Sequence, residues 1–342
     1  MKFRCCVFPK FYIVLVLMAV GASLAISSCQ GTSYEGSTPT LIITATAQPS
    51  ATPQPSPTVT PQPSPTPSPT PAGFDGQRAL ADVNHQVSLG PRTPGSPGHD
   101  AIVRWMQDEL TQAGWEVEIQ ESRYQNHAVR NVIAKRGSGK KPWVLLGAHY
   151  DTRMQASEDP DPTRRQDPVP GANDGASGVA VLVELARVLP PDLNQQVWLA
   201  FVDVEDQGNL PGWEWIIGSS HLAESIASMP EQPQAVIIVD MVGDADLNLP
   251  MERNSNQALL QEIWSIAAEL GYQEIFLQRA GYSMMDDHTP FLNRGMTAVD
   301  IIDFDYPYWH TVADTPDKVS AESLHAVGDT LYHWLTRRSN YP

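Results

Sequence analysis

Six short stretches of this chain put carboxylates and imidazoles where chemistry could be done. They begin with "GAHYDT", which holds His149 and Asp151, "GANDGASG", which holds Asp174, and "FVDVEDQG", which holds Asp203, Glu205 and Asp206. Further on come "IIVDMVGD" with Asp240, "MMDDHTPF" with Asp286, Asp287 and His288, and "DFDYPYWHT" with Trp309 and His310. Any one alone could be a helix cap, a turn or a surface charge. Gathered in one place, so many carboxylates would repel one another and partly protonate unless a positive charge sat among them. No lysine or arginine run lies in these stretches, so a divalent metal is the natural counter-charge. The chain's cysteines are Cys5, Cys6 and Cys29. A domain that begins after them has no thiolate ligand, disulfide or cysteine nucleophile. Carboxylates and imidazoles without thiolates suit zinc at a catalytic site with an open coordination position.

The elements that must gather these residues can be read from hydrophobic periodicity. Apolar residues at helical spacing predict helices over 76–90, 100–114, 175–189, 221–229, 257–272 and 321–338. Alternating or near-continuous apolar runs predict strands over 116–125, 129–137, 142–152, 195–206, 234–244 and 297–305. "GPRTPGSPGH" is expected to break the chain between the first two helices. Buried strands alternating with helices imply an α/β domain with a mostly parallel sheet covered on both faces. Ligands of such sheets bind beyond the carboxyl ends of the strands, and the six stretches fall at that edge.

Outside this region the composition changes. Lys2, Arg4 and Lys10 precede an apolar run over 11–26, and "ISSC" ends at Cys29. The pattern resembles a bacterial lipoprotein signal, with 1–28 removed and Cys29 lipidated. A plain secretory signal and an uncleaved anchor are the alternatives. Residues 29–72 are rich in Pro, Ser and Thr, without apolar periodicity, and are expected to be an extended tether. Residues 73–342 then form one catalytic domain, exported, extracytoplasmic and held to a membrane through Cys29. The formal net charge of -17 argues against nucleic acid and against direct contact with an anionic lipid surface. The membrane is expected to be reached only through the lipid, and no oligomeric state follows from these residues.

The ordered set "GPRTPGSPGH", "GAHYDT", "GANDGASGVAVLVELAR", "VEDQG", "IGSSHLAE", "VDMVGD", "DDHTPF" and "WHTVADT" resembles the zinc aminopeptidase and glutaminyl cyclase superfamily. It covers about residues 88–320, and the likeness is strongest to bacterial cyclotransferases of the animal type. The resemblance implies an α/β/α sandwich around a mixed, mostly parallel sheet, the zinc-exopeptidase type. It implies Asp174, Asp206 and His310 as zinc ligands and Glu205 as general acid/base. His149 and Asp240 match the residues that hold a second zinc in the aminopeptidases, and Asp151 would orient His149 from behind. Many relatives have glutamate where Asp206 stands.

Two reactions on peptide or protein N-termini fit this scaffold. An aminopeptidase uses two zinc ions to activate a water that attacks the first peptide bond. A glutaminyl cyclase uses one zinc, and the peptide's own amine closes pyroglutamate with loss of ammonia. Asp286 and Trp309 resemble the cyclases, and Asp286 with Asp240 would hold the substrate amide. Trp213 and Trp215 are both candidates for the pocket tryptophan that follows the acid pair. The cyclases of animals carry a disulfide near the site, which this domain lacks. A zinc-dependent binding module without catalysis is the third reading; Glu205 and the three ligands, all present, weigh against it. His288 is expected to make structural hydrogen bonds, and His221 to pack or lie at the surface. His325 and His333 follow helical spacing and carry no catalytic signal.

Overall fold

The computed structural model of this protein describes residues 73–339. The expected signal peptide (1–28), Cys29 and the tether (29–72) lie outside the described residues. In chain order the elements are α1 (Gly76–Ser88), α2 (Pro97–Gln112), β1 (Glu116–Tyr124), β2 (His127–Arg136), β3 (Trp143–His149), α3 (Ala176–Val188), β4 (Gln196–Val202) and α4 (Ile217–Ala227). They continue with β5 (Ala235–Asp240), β6 (Leu249–Met251), α5 (Gln257–Glu269), β7 (Phe276–Ala280), α6 (Thr289–Leu292), β8 (Ala298–Ile302) and α7 (Ala321–Ser339).

Six strands form the main sheet, in the order β1-β2-β4-β3-β5-β8. β3 runs parallel to β4 and β5, and β5 parallel to β8. β1 and β2 join antiparallel at the other edge. The four parallel strands are buried along nearly their whole length, as strands covered on both faces must be. Their side chains alternate between two cores. Leu146, Leu199, Ile237 and Val299 pack with α1, α2, α3, α5 and α7. Leu145, Trp198, Ile238 and Ala298 pack on the opposite face with α4 and α6. Each large apolar side chain so buried contributes about 1.5–3 kcal/mol. A one-residue slip would exchange the two faces, so this alternation holds the register, and with it the position of every strand end.

Helix α3 carries the centre of the site and is tied down twice. Gly178 lets it approach β5 so closely that an added Cβ would lie 2.2 Å from the Val239 carbonyl oxygen. On its far side, buried Glu184 pairs with Arg78 of α1 at 2.6 Å. Arg187, one turn on, reaches Asp82 of α1 and, at 2.7 Å, Glu109 of α2. A buried carboxylate is tolerable only with such partners.

Helix α2, strands β6 and β7 and helix α6 differ from the sequence expectation. Helix α2 begins at Pro97, inside the stretch expected to break the chain. Ser96 caps it, its hydroxyl accepting the His99 N–H at 3.1 Å, and Pro97 takes the first turn where no N–H is needed. A second, two-stranded parallel sheet, β6 with β7, was not expected. β6 is three residues long with a central proline, and most of β7 is exposed, so neither carries a periodic signal. Helix α6 has four residues, too few for one.

Candidate active site

The carboxyl ends of the parallel strands deliver the site. His149 is the last residue of β3 and Asp240 the last of β5. Glu205 and Asp206 follow β4, Asp174 precedes α3, Asp286 precedes α6, and His310 follows β8. Left-handed backbone turns aim several of them. Val204, Met241 and His310 have φ of 54, 44 and 55°. A β-branched residue such as Val204 rarely adopts that region, and such strain collects at functional sites.

Asp174 stands between two imidazoles. Its Oδ1 is 3.1 Å from His149 Nε2 and its Oδ2 is 3.7 Å from His310 Nε2. His310 Nε2 lies 2.8 Å from Asp206 Oδ1, and His149 Nε2 hydrogen-bonds Asp240 Oδ1 at 3.2 Å. Two triads result, His149–Asp174–Asp240 and Asp174–Asp206–His310, each with donor atoms within 4.8 Å of one another. Asp174 Oδ2 and both oxygens of Asp206 are buried without a hydrogen-bond partner. Leaving buried carboxylate oxygens unpaired is costly. Asp206 Oδ1 also approaches His310 without hydrogen-bonding geometry, as atoms aimed at a common point do. The Asp174–Asp206–His310 set therefore fits a divalent cation.

Burial governs the titration of this centre. It raises Glu205 well above the ordinary glutamate range, against His149 and with help from Asp206, Asp286 and Asp287. It pushes Asp240 up to about 7, with His149 opposing and Asp286 and Asp174 adding. Burial alone would lower His149, but Asp240, Asp151 and Asp174 together hold it well above the ordinary imidazole range.

Asp151 stands behind His149, its Oδ1 3.7 Å from His149 Nδ1 in an ion-pair contact. It has a second task that the sequence did not suggest: it accepts the Glu205 N–H at 3.0 Å, the Asp206 N–H at 3.4 Å and the Gln207 side-chain amide at 3.0 Å. It holds the loop that carries the acid pair. Three more supports were not singled out from the sequence. Asp314 accepts the Asn173 and Asp174 N–H groups at 2.8 and 3.1 Å and the Tyr306 hydroxyl at 2.7 Å. Buried Arg153 donates to the Asp206 and Gly208 carbonyls, both at 3.0 Å. Buried Arg92 donates to the carbonyls of Tyr150, Pro170 and Gly171. Asp314 stood in the quoted "WHTVADT", and its place in that motif was the available signal. Arg92 stood likewise in the quoted "GPRTPGSPGH", whereas Arg153, a single arginine after a strand, gave no signal.

The triads open into a cavity of about 110 Å³. Asp174, Glu205, Asp206, Asp240, Asp286 and His310 form its polar floor, and Trp215, Trp309, Met241, Met284, Met285, Ile302 and Phe304 its walls. Trp309 stacks on His310 at 3.6 Å, and Trp215 lies parallel to it at 5.9 Å. Trp215 occupies space that Gly208 leaves free, its ring atoms 2.0 Å from where a Cβ would stand. Trp213 does not line the pocket, which corrects its candidacy. It stacks on His127 at 3.9 Å and packs with Val129, Val204 and Ile217.

Asp286 uses Oδ1 to accept the Asp287 N–H and its carbonyl to accept the Thr289 N–H at 2.7 Å. Its Oδ2 is buried and unpaired. Behind it, buried His288 lies 3.5 Å from Glu252 and 3.6 Å from Asp300, longer than the structural hydrogen bonds expected of it. Asp203 turns away from the cavity to His99, at 2.7 Å. His221 sits on α4 beside Ser122 and Tyr124. His325 packs between Phe74 and Tyr272, and His333 pairs with Asp329 one turn before it.

The sequence pattern of peptidase family M28 matches residues 131–335, more than half of the chain and every residue of this centre. The chain belongs to that family. A glutaminyl-peptide cyclotransferase from Bothrops jararaca is 27% identical over 283 residues, 68% of this chain and 73% of the relative. The crystal structure of a Bacteroides thetaiotaomicron glutaminyl cyclase bound to N-acetylhistamine superposes with a TM-score of 0.74 at 28% identity, covering 79% of this chain and 99% of that one. A leucine aminopeptidase precursor from the same organism gives 0.74 and 28%, covering 79% and 98%. This M28 chain is thus an enzyme-family member on a zinc-exopeptidase-type fold. Likeness of fold leaves both chemistries standing, so the site has to separate them.

Proposed function

We propose that this M28 member is a zinc-dependent glutaminyl-peptide cyclotransferase, converting the N-terminal glutamine of peptides to pyroglutamate with release of ammonia. The observation that carries the reading is the Asp286 carboxylate, which joins Asp240 on the floor of a small aromatic-walled cavity. Asp286 is not a member of the Asp174–Asp206–His310 set. An amide N–H brought into the pocket would meet these two carboxylates.

Asp174, Asp206 and His310 would hold the zinc. When bound, the metal supplies a Lewis acid that polarises the glutamine side-chain carbonyl. Glu205 takes a proton from the substrate's α-amine as the nitrogen attacks the side-chain carbonyl carbon. It returns that proton to the amide nitrogen as the carbon–nitrogen bond breaks and ammonia leaves. Asp240 and Asp286 hold the amide nitrogen during the exchange. Trp215 and Trp309 confine the side chain in its folded conformation and exclude water, which the reaction does not consume. Asp286→Asn should lower kcat for glutamine cyclisation by about 10²-fold, while metal content stays unchanged. A variant with full activity would remove Asp286 from the mechanism.

The alternative is a metallo-aminopeptidase, favoured by the second triad, His149–Asp174–Asp240. It would hold a second zinc, and the product would be a free N-terminal amino acid. In the cyclase reading the His149 side chain itself stands there, its Nε2 3.2 Å from Asp240 and 3.1 Å from Asp174. A non-catalytic peptide-binding lipoprotein is disfavoured because Glu205 faces the cavity beside the donor set. The proposal includes export and tethering through a lipid on Cys29. Cys29→Ser should shift the protein from the membrane to the soluble fraction, and unchanged fractionation would rule the anchor out.

A further inference from the structure

The aromatic wall of the cavity does not stop at Trp309. Trp309 meets Phe304 edge-on at 5.1 Å, and Phe304 meets Tyr282 edge-on at 5.8 Å. The ladder thus runs from His310 out to the surface. Among the described residues, the exposed large apolar side chains are Tyr282 and Met285, 50% and 59% exposed. Both lie on one short segment, and Met285 also lines the cavity with Met284 and Phe304. Apolar groups of this size, contiguous with a binding pocket, mark a surface that a ligand covers. A fixed aromatic face beside an adaptable thioether suits apolar side chains of varied shape.

The segment is held in place. Arg253 donates its N–H to the Tyr282 carbonyl at 2.9 Å. Glu252 accepts the Met284 N–H at 2.8 Å, and the Asn254 side-chain amide donates to the Met284 carbonyl at 2.7 Å. The Tyr282 hydroxyl donates to Asp305 at 2.7 Å. Little ordering is then needed when a ligand arrives.

We propose that Tyr282, Phe304 and Met285 form an outer subsite for the second residue of the peptide substrate, selecting a large apolar side chain there. The inference rests on the reading of the cavity as a site for peptide N-termini. With the first residue in the pocket, the rest of the peptide leaves through the mouth, and this lip is the mouth's apolar side. The Asp305 carboxylate beside Tyr282 sets the subsite against an acidic second residue.

The test compares Gln-Phe-Ala-amide with Gln-Gly-Ala-amide on residues 30–342, counting both ammonia loss and glutamine release. The expected kcat/KM ratio favours phenylalanine by about tenfold. Tyr282→Ala combined with Met285→Ala should bring it near one, while Tyr282→Phe, which loses only the hydroxyl contact, should keep it. Equal rates in the unaltered protein, or a ratio that survives the double substitution, would overturn the subsite. The identity of the product tests the cyclase reading separately. If neither product forms, calorimetric affinities of the same two peptides decide: a tenfold difference abolished by the double substitution supports the lip, and equal affinities refute it.

Discussion

Glu205 must be ionised to take a proton, yet its surroundings favour the neutral acid. Burial, with Asp206, Asp286 and Asp287 nearby, raises it well above the ordinary glutamate range. A base so tuned works closest to neutral pH. Glu205→Gln is therefore expected to lower kcat by about 10²–10⁴-fold while the metal, measured by atomic emission, stays bound. Metal loss in that variant would show Glu205 to be a ligand instead. His310→Ala should lose the metal. Asp151 acts one layer further out, accepting three N–H groups from Glu205, Asp206 and Gln207. Asp151→Asn turns part of that acceptor into a donor facing donors. It should cost about 1–3 kcal/mol in urea unfolding and about 10–100-fold in metal affinity. Unchanged metal affinity would confine Asp151 to the fold alone.

At the scale of elements, strand ends set the ligands and a few close approaches set the pocket. Gly208 gives Trp215 its place beside His310. Gly208→Ala should push that ring out of the cavity and raise KM about tenfold or more, with the far-ultraviolet circular dichroism unchanged. An unaltered KM would deny Trp215 a part in binding. This level also shows what the sequence could and could not say. The buried strands ending at His149 and Asp240 and the glycine-rich turn at Asp174 were legible, because burial on two faces leaves a continuous apolar run. The choice between Trp213 and Trp215 was not, because it depends on the turn at Ile216 and on space beside Gly208. Asp314, Arg153 and Arg92 bond to backbone groups far along the chain, so although Asp314 and Arg92 stood in quoted motifs, nothing local announced what they would hold. β6 and β7 escaped because a three-residue strand and an exposed one have no periodicity to read.

The whole molecule concentrates carboxylates in its interior, which makes its stability depend on pH and on metal together. Burial pushes Asp240 and Asp314 up to about 7 and Asp303 to about 6, and raises Asp206 as well. Without metal, the folded protein therefore holds more protons than the unfolded chain between the ordinary carboxylate range, about 4, and pH 7. Its stability should fall as pH rises through that window. His149, raised by its carboxylate neighbours, adds in the same direction, since its pairing is lost as it deprotonates. With chelator present, Tm is expected to decline from about pH 5 to 8, and added zinc should raise it most at the upper end. A chelated Tm that rises with pH would contradict this picture of the interior.

The central claim concerns one bond. The most direct measurement incubates residues 73–342, loaded with zinc, with a short peptide beginning in glutamine and weighs the product by mass spectrometry. The account predicts loss of one ammonia with the peptide otherwise intact. Release of free glutamine would contradict it and assign His149, Asp174 and Asp240 to a second zinc.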